Sequence, residues 1–87
     1  MRNKKITIVD NDENTYRYRV VIHRDEDGVF IAECPALQGC VTDGATFEEA
    51  LEMIKDAVRV YVRSLVELGD PLPRDEDVFQ GVVSVSL

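Results

Sequence analysis

The fold is decided by residues 18–51, which read YRVVIHRDEDGVFIAECPALQGCVTDGATFEEAL. Apolar and polar side chains alternate in residues 16–23 and again in residues 29–34, which is the period of a β-strand with one buried face. The two runs are separated by a charged stretch that ends at Gly28, and glycine supplies the positive φ that such turns often need. The pattern therefore predicts a β-hairpin.

In the first strand, Tyr16, Tyr18, Val20 and Ile22 share one face, which is expected to form the core, and the other face is mostly polar. In the second strand, Phe30, Ala32 and Cys34 share one face, and Val29, Ile31 and Glu33 share the other. Pro35 ends the second strand because it cannot donate to a hydrogen-bond ladder. A short third strand is predicted at residues 40–42, and Asp43-Gly44 is expected to end it.

A long amphipathic helix follows the predicted strands. Thr46 and Glu49 have the spacing of a capping box, and Gly69 stands where a helix usually ends, shortly before Pro71. About 22 residues lie between these signals, which corresponds to ~33 Å of helix. The predicted apolar stripe consists of Phe47, Leu51, Ile54, Val58, Tyr61, Leu65 and Leu68.

Residues 81–87 alternate again and predict a last strand, with Val83, Val85 and Leu87 on one face. The expected fold class is α+β, in the order β-β-β-α-β, with an antiparallel-rich sheet packed on one long helix. Residues 1–87 form a single domain in this interpretation. Within residues 1–14, the β-prone run at 4–9 is expected to be an extra edge strand or a flexible arm.

The charge balance constrains the partners. The 87-residue chain has a net charge of −7, with 45% hydrophobic and 31% charged residues. Nucleic-acid-binding proteins usually carry a basic surface, so direct nucleic acid binding by this chain is not expected, whereas a basic protein partner is. No run of 18 apolar residues is present, and residues 6–9 are too few for a signal-peptide core, so we expect a cytoplasmic protein.

The sequence offers little for catalysis or for metal binding. His23 is the only histidine, and Cys34 and Cys40 are separated by five residues, which is neither a redox nor a zinc spacing. The acids lie in turns and at helix ends, where they are expected to be solvated. We therefore expect no enzyme activity, no cofactor and no metal site, and we expect both cysteines to be apolar packing residues.

The combined pattern of residues 18–51 resembles the HicB antitoxin family. The motif reads Tyr18-x-Val20-x-Ile22, then Asp25-x-Asp27-Gly28-x-Phe30-x-Ala32-x-Cys34-Pro35-x-Leu37-x-Gly39-Cys40-x-Thr42-x-Gly44-x-Thr46-x-Glu48-Glu49-Ala50-Leu51. The likeness extends over about residues 15–87. It implies a partial ribonuclease-H-like fold and an antitoxin that binds a small basic HicA-type toxin, an mRNA-cleaving ribonuclease, and occludes its catalytic surface.

Two departures from the family pattern affect these expectations. Many members carry a C-terminal helix-turn-helix or ribbon-helix-helix domain, and this sequence shows neither, so DNA binding by this chain alone is not expected. Gln38 and Ala45 stand where the family often has proline and an acid, with mild consequences expected in these turns.

Charge and expected exposure suggest where a toxin would bind. The candidate residues are Asp25, Glu26 and Asp27 at the hairpin tip, with His23 and Arg19 as neighbours on the polar strand face. A homodimer or a dimer of dimers is also expected. A second subunit would bury the apolar residues that lie outside the helix stripe, which are Met53, Val60 and Val66. It would also protect the unpaired edge strands of a small sheet.

Two other functions remain open at this point. The chain is alternatively a solitary HicB-like oligomeric module, regulatory or structural, that has no toxin partner; a neighbouring reading frame for a short basic protein would argue against this. The third interpretation is an enzyme, either a degenerate metal-dependent nuclease or a hydrolase. Magnesium-dependent cleavage that is lost on substitution of Asp43 would support it.

Overall fold

A computed structural model describes residues 7–8 and 15–87. Its elements are β1 (Thr7–Ile8), β2 (Tyr18–Arg19), β3 (Val21–Arg24), β4 (Phe30–Glu33), β5 (Val41–Gly44), α1 (Phe47–Leu68) and a 3-10 turn (Asp75–Asp77). Three antiparallel strands precede one long helix that packs on them. The predicted α+β arrangement is therefore confirmed.

The main sheet has the order β3-β4-β5, with both pairs antiparallel. Its register places Val21 opposite Glu33 and Glu33 opposite Val41, so one row of side chains crosses all three strands. β1 pairs with β2 in a separate two-stranded ladder. The arm expected at residues 4–9 thus contributes an edge strand at Thr7 and Ile8, and its remaining residues lie outside the described part of the chain.

The third strand is longer than the sequence pattern indicates. Asp43 and Gly44 were expected to end it, but they pair with Ile31 and Phe30 as the last two residues of β5. The helix starts three residues after Gly44, and Ala50 packs directly over this glycine. A Cβ atom at position 44 would lie 2.6 Å from the main-chain nitrogen of Ala50. Glycine is needed here because the strand and the helix approach each other so closely.

Both ends of the helix form as predicted. The hydroxyl of Thr46 accepts the N–H of Glu49 at 3.0 Å, and the carboxylate of Glu49 accepts the N–H of Ala45 at 2.5 Å. At the other end, Gly69 adopts a left-handed φ of 75°. The N–H groups of Gly69 and Asp70 donate to carbonyls of the last helical turn, which otherwise have no partner.

The core lies between the sheet and the helix. Its buried residues are Tyr18, Val20, Ala32, Cys34, Leu37, Cys40, Ala50, Ile54, Val58 and Val62. The face predicted to be core in the first strand packs there, together with Ala32 and Cys34 of the second predicted strand. On the helix, the buried face is rotated from the predicted stripe, because Ala50 and Val62 are buried whereas Leu68 is 71% exposed.

The chain returns from the helix to the first strands. The hydroxyl of Tyr18 donates to the carbonyl of Pro73 at 2.6 Å, which fixes the loop after Gly69 against β2. Residues 81–87, predicted as a last strand, have no strand assignment and are exposed. No strand edge among the described residues receives them. The prediction of a last strand at residues 81–87 is therefore wrong for the chain as the structure describes it.

The helix does not have the character of a membrane span. Among the described residues, no helix combines the length and the apolarity that a bilayer crossing requires.

Candidate functional site

The hairpin between β3 and β4 carries the three acids of the predicted site, and they differ in role. The carboxylate of Asp25 accepts the N–H groups of Asp27 at 2.9 Å and of Val29 at 3.0 Å. The main chain of Asp25 also closes the turn with Val29 and with Gly28, whose φ is 84°. Asp25 therefore builds the turn, as aspartate does in an Asx-turn.

Glu26 and Asp27 form the exposed part of the tip. Both residues are exposed, and neither carboxylate accepts a hydrogen bond from another described residue. Arg24 lies beside them, with its guanidinium carbon 5.5 Å from the centre of the Phe30 ring. Arg24 is therefore held over the core side of the hairpin, and Glu26 and Asp27 are available to an outside partner.

His23 lies on the sheet face that points away from the helix. Its neighbour Ile22 packs against the core, and successive side chains of a strand alternate between faces. The register places His23 opposite Ile31, and Ile31 opposite Asp43. His23 thus begins a second row across the uncovered face, next to the row of Val21, Glu33 and Val41.

We call this uncovered sheet face the open face. It consists of Val21, His23, Ile31, Glu33, Val41 and Asp43. Apolar and acidic side chains are mixed on it, and His23 is its only basic group. Site prediction from charge and exposure missed Glu33 and left Asp43 outside the site. The alternation of side chains along the second predicted strand could have indicated Glu33, because it places Glu33 on the same face as Ile31.

Arg19 does not join the other predicted site residues. It is half-buried: its main-chain N–H donates to the carboxylate of Asp75 at 2.7 Å, and its guanidinium donates to the carbonyl of Val78 at 2.9 Å. It lies six positions before Asp25 in the sequence, which is roughly 20 Å along an extended strand. Four of the five predicted residues therefore cluster at the hairpin end, and Arg19 holds the C-terminal loop at the other end.

The cysteines lie inside the core. Both are free and buried, and the main-chain N–H of Cys34 donates to the carbonyl of Cys40. Burial, followed by the neighbouring Cys40, raises the pKa of the Cys34 thiol to about 11, and burial also raises the pKa of Cys40. Neither residue is a ready nucleophile, since the thiolate is the reactive form.

The arrangement of possible metal ligands was compared with the requirements of a metal site. In the part of the chain that the structure describes, no three histidine, cysteine or acidic residues stand close enough to hold a metal ion. What the arrangement offers is a surface: an acidic hairpin tip that continues into an open face of mixed apolar and acidic character.

Comparison with known proteins gives a family match and several relatives. A family described as HicB-like antitoxin of bacterial toxin–antitoxin systems matches residues 18–84. A UPF0150 protein of Thermoplasma acidophilum is 48% identical over 59 residues, which cover 68% of this chain and 86% of that protein. One from Synechocystis is 39% identical over 61 residues, covering 70% and 77%. One from Helicobacter pylori is 49% identical over 45 residues, covering 52% and 61%.

No solved structure is significantly similar to the chain. The family match spans β2 to β5, the whole helix and most of the segment that follows. It includes the acidic hairpin and the open face. The chain therefore belongs to the HicB-like antitoxin family.

Proposed function

We propose that this chain is the antitoxin of a type II toxin–antitoxin pair, and that it binds a small basic HicA-type toxin and covers its RNA-binding surface. The family match supports the antitoxin role. The observation that carries the binding mode is the exposed acidic tip of Glu26 and Asp27, which adjoins the open face. The chain acts by binding and not by catalysis, in the cytoplasm, where mRNA is cleaved.

The charge of the surface suits such a partner. A ribonuclease must present cationic groups to the phosphates of its substrate. A chain with a net charge of −7 attracts that same surface, and a compact negative tip steers the encounter. The antitoxin and the RNA then compete for the same cationic groups, so bound antitoxin excludes RNA.

The open face supplies the second requirement of a protein interface. Val21 and Ile31 are half-buried and Val41 is 55% exposed, while Glu33 and Asp43 surround them with negative charge. Apolar side chains give stable contact area once they are covered, and the acids give specificity for a basic partner. The hairpin tip would guide the toxin, and the open face would hold it.

The test uses a HicA-type toxin, which this proposal expects to be encoded beside this chain. Co-expression of the two proteins should relieve the growth arrest and the mRNA cleavage that the toxin causes alone, and the purified proteins should form a complex. If the toxin stays active in the presence of excess antitoxin and no complex forms, the proposed function is wrong.

A pair of charge-matched variants tests the binding surface. Reversal of Glu26 and Asp27 (E26K/D27K) and reversal of two exposed helix acids (E52K/E67K) each change the net charge from −7 to −3. The hairpin variant should weaken toxin binding at least tenfold and flatten its salt dependence, and the helix variant should bind nearly as the parent does. Equal effects of the two variants would remove the tip from the interface. Asp25 is left unchanged because it builds the turn.

A solitary module without a toxin remains the second candidate. The observation in its favour is the exposed apolar segment after Val78, which suits self-association better than it suits a basic nuclease. The absence of a neighbouring frame for a short basic protein, together with recovery of this chain from its host as a homo-oligomer alone, would favour the module.

A further inference from the structure

Cys34 and Cys40 face each other at one end of the main sheet. β4 and β5 pair with Glu33 opposite Val41, and the next step of the same register brings Cys34 opposite Cys40. The main-chain N–H of Cys34 donates to the carbonyl of Cys40 at 3.0 Å, so the pairing continues to these two residues. Directly opposite side chains of an antiparallel pair lie on the same face of the sheet. The two thiols are therefore neighbours.

The spacing of such a pair is suited to a disulfide bond. Opposite residues that share ladder hydrogen bonds have Cα atoms about 5.5 Å apart, and disulfide-bonded cysteines have Cα atoms roughly 4.4–6.8 Å apart. The Cβ atoms are about 5 Å apart in a ladder, against about 3.8 Å across a disulfide. The strand ends must therefore approach each other slightly for the bond to form. A disulfide under such strain is easily reduced, so the spacing favours a reversible bond.

Access to the thiols depends on a short double turn. Cys34 is 2% exposed and Cys40 is 5% exposed, and the five residues between them form the turn. The N–H of Leu37 donates to the carbonyl of Cys34, and the N–H of Cys40 donates to the carbonyl of Leu37. At the surface, the hydroxyl of Tyr61 donates to the carbonyl of Gln38 at 3.0 Å. Local opening of this turn would expose the sulfur atoms.

The surroundings of the two thiols keep them unreactive while the turn is closed. Burial, followed by the neighbouring Cys40, raises the pKa of the Cys34 thiol to about 11, and the N–H groups of Leu37 and Ala36 act in the opposite direction. Burial also raises the pKa of Cys40. Because the thiolate is the reactive form, the closed chain reacts slowly near neutral pH. Opening of the turn removes the burial and with it the main cause of both shifts.

We propose that Cys34 and Cys40 form a redox-sensitive modification site, which a low-molecular-weight disulfide such as oxidised glutathione converts to an internal disulfide when the turn between them opens. The thiolate of one cysteine attacks the reagent and releases one small thiol. The second thiolate then attacks the mixed disulfide and releases the other. Two protein thiols are oxidised, one reagent disulfide is reduced, and the two thiol protons pass to the released thiolates. The inference concerns this chain alone and does not depend on the toxin.

Equilibration of the folded chain with glutathione redox buffers, read by the intact mass after alkylation, tests the site. The expected product is a single chain that lacks free thiols and is lighter than the reduced chain by two hydrogen atoms. Excess reduced glutathione should restore both thiols. C40A/V41C is the matched control, because it moves one thiol to the opposite face of β5. While circular dichroism shows it to be folded, this variant should bind glutathione and form no internal bond.

Three results of this experiment would overturn the proposal. The first is a parent chain that retains both thiols at equilibrium with excess oxidised glutathione. The second is a parent chain that forms only glutathione adducts or bonds between two chains. The third is an internal bond that forms equally well in C40A/V41C, which would mean that the register of β4 and β5 has no part in bringing the thiols together.

The role of the double turn is tested by Y61F. This variant removes the hydroxyl that donates to the carbonyl of Gln38 and leaves both cysteines unchanged. The internal disulfide should form at least about threefold faster than in the parent chain, since a single hydrogen bond contributes that much to closure. In the oxidised parent chain, the amides of Leu37 and Cys40 should exchange hydrogen more slowly than in the reduced chain. Equal oxidation rates in the two proteins would show that the turn does not control access.

Discussion

The carboxylate of Asp75 accepts the main-chain N–H of Arg19 at 2.7 Å, and 56 positions of sequence separate the two residues. This contact joins the loop after the helix to β2. The register of β3 and β4 would bring Arg19 opposite Pro35, where β4 has already ended. The N–H of Arg19 therefore has no carbonyl of β4 to bond to, and the carboxylate of Asp75 accepts it instead. The side chain of Asp75 thus satisfies the last N–H group at this end of the sheet and holds the C-terminal loop against β2.

Removal of this acid should destabilise the fold. D75A leaves the half-buried N–H of Arg19 without its charged acceptor, and we expect a loss of about 1–2 kcal/mol in the free energy of unfolding. For a domain of this size, each kcal/mol corresponds to a decrease of about 4–8 °C in the melting temperature. Thermal unfolding followed by circular dichroism measures the change. D75N keeps an oxygen acceptor and should lose less, and E76A, at an exposed acid of the same turn, should change little.

Substitution of Gly44 should be more costly than its small size suggests. In G44A the added Cβ would lie 2.6 Å from the nitrogen of Ala50 and 2.9 Å from its Cα, and both atoms belong to the helix backbone, which cannot move aside alone. Overpacking of this kind costs about 1–3 kcal/mol. G81A is the matched control, because nothing lies within 4 Å of a Cβ there. Urea unfolding in which the two variants have the same midpoint would contradict the close approach.

The N-terminal cap of the helix should have a measurable effect. T46A removes the hydroxyl that accepts the N–H of Glu49, and loss of such a cap typically costs about 1 kcal/mol. T46D supplies another acceptor at the positive end of the helix and should retain most of the stability. Chemical unfolding of the three proteins gives the comparison. A T46A variant as stable as the parent chain would mean that water replaces the hydroxyl without loss.

The buried thiol predicts a loss of stability in alkali. The pKa of Cys34 is raised in the folded chain to about 11, above the value of about 8.5–9 in an unfolded chain. The unfolded state therefore releases its proton first, and this contribution to stability is complete below pH 9 and is lost as the pH rises toward 11. Burial raises the pKa of Tyr18 as well, which adds to the same trend.

Urea midpoints measured at pH 7, 9 and 10.5 test this prediction. C34A should be less stable than the parent chain at pH 7, because it leaves a cavity. Its stability should fall less steeply with pH, because one titrating group is absent. Identical slopes for the two proteins would show that the thiol of Cys34 is not the source of the alkaline loss.

The helix shows how far local sequence determines this fold. Thr46 and Gly69 mark its ends by hydrogen bonds within one or two turns, so the sequence is sufficient to locate them. The buried face depends on what lies opposite. Strands of four residues span only about 13 Å, whereas the helix extends for about 33 Å, so the stripe overshoots the sheet and Leu68 remains exposed. Strand lengths of this kind are set by tertiary pairing and are difficult to predict from one sequence.

The candidate site was predictable in its charge but not in its contacts. The position of Glu26 and Asp27 at an exposed tip follows from the turn signals around Gly28. The role of Arg19 could not be inferred in the same way, because its acceptors lie on a loop more than fifty residues away. Its charge made it resemble a surface residue, whereas the structure gives it carbonyl and carboxylate partners at the base of the sheet.

The contact between Gly44 and Ala50 also has a consequence for redesign of the domain. Gly28, Gly39 and Gly69 adopt left-handed backbone conformations, which asparagine tolerates at modest cost, so these turns can accept other sequences. At position 44 asparagine is not an alternative, because any side chain with a Cβ atom would collide with the backbone of Ala50. Glycine is required there for lack of space and not for its backbone conformation. The end of β5 and the first turn of the helix consequently form one structural unit, whose geometry depends on the contact between Gly44 and Ala50. A grafted helix would keep its angle to the sheet only if residues 44–50 were transplanted together.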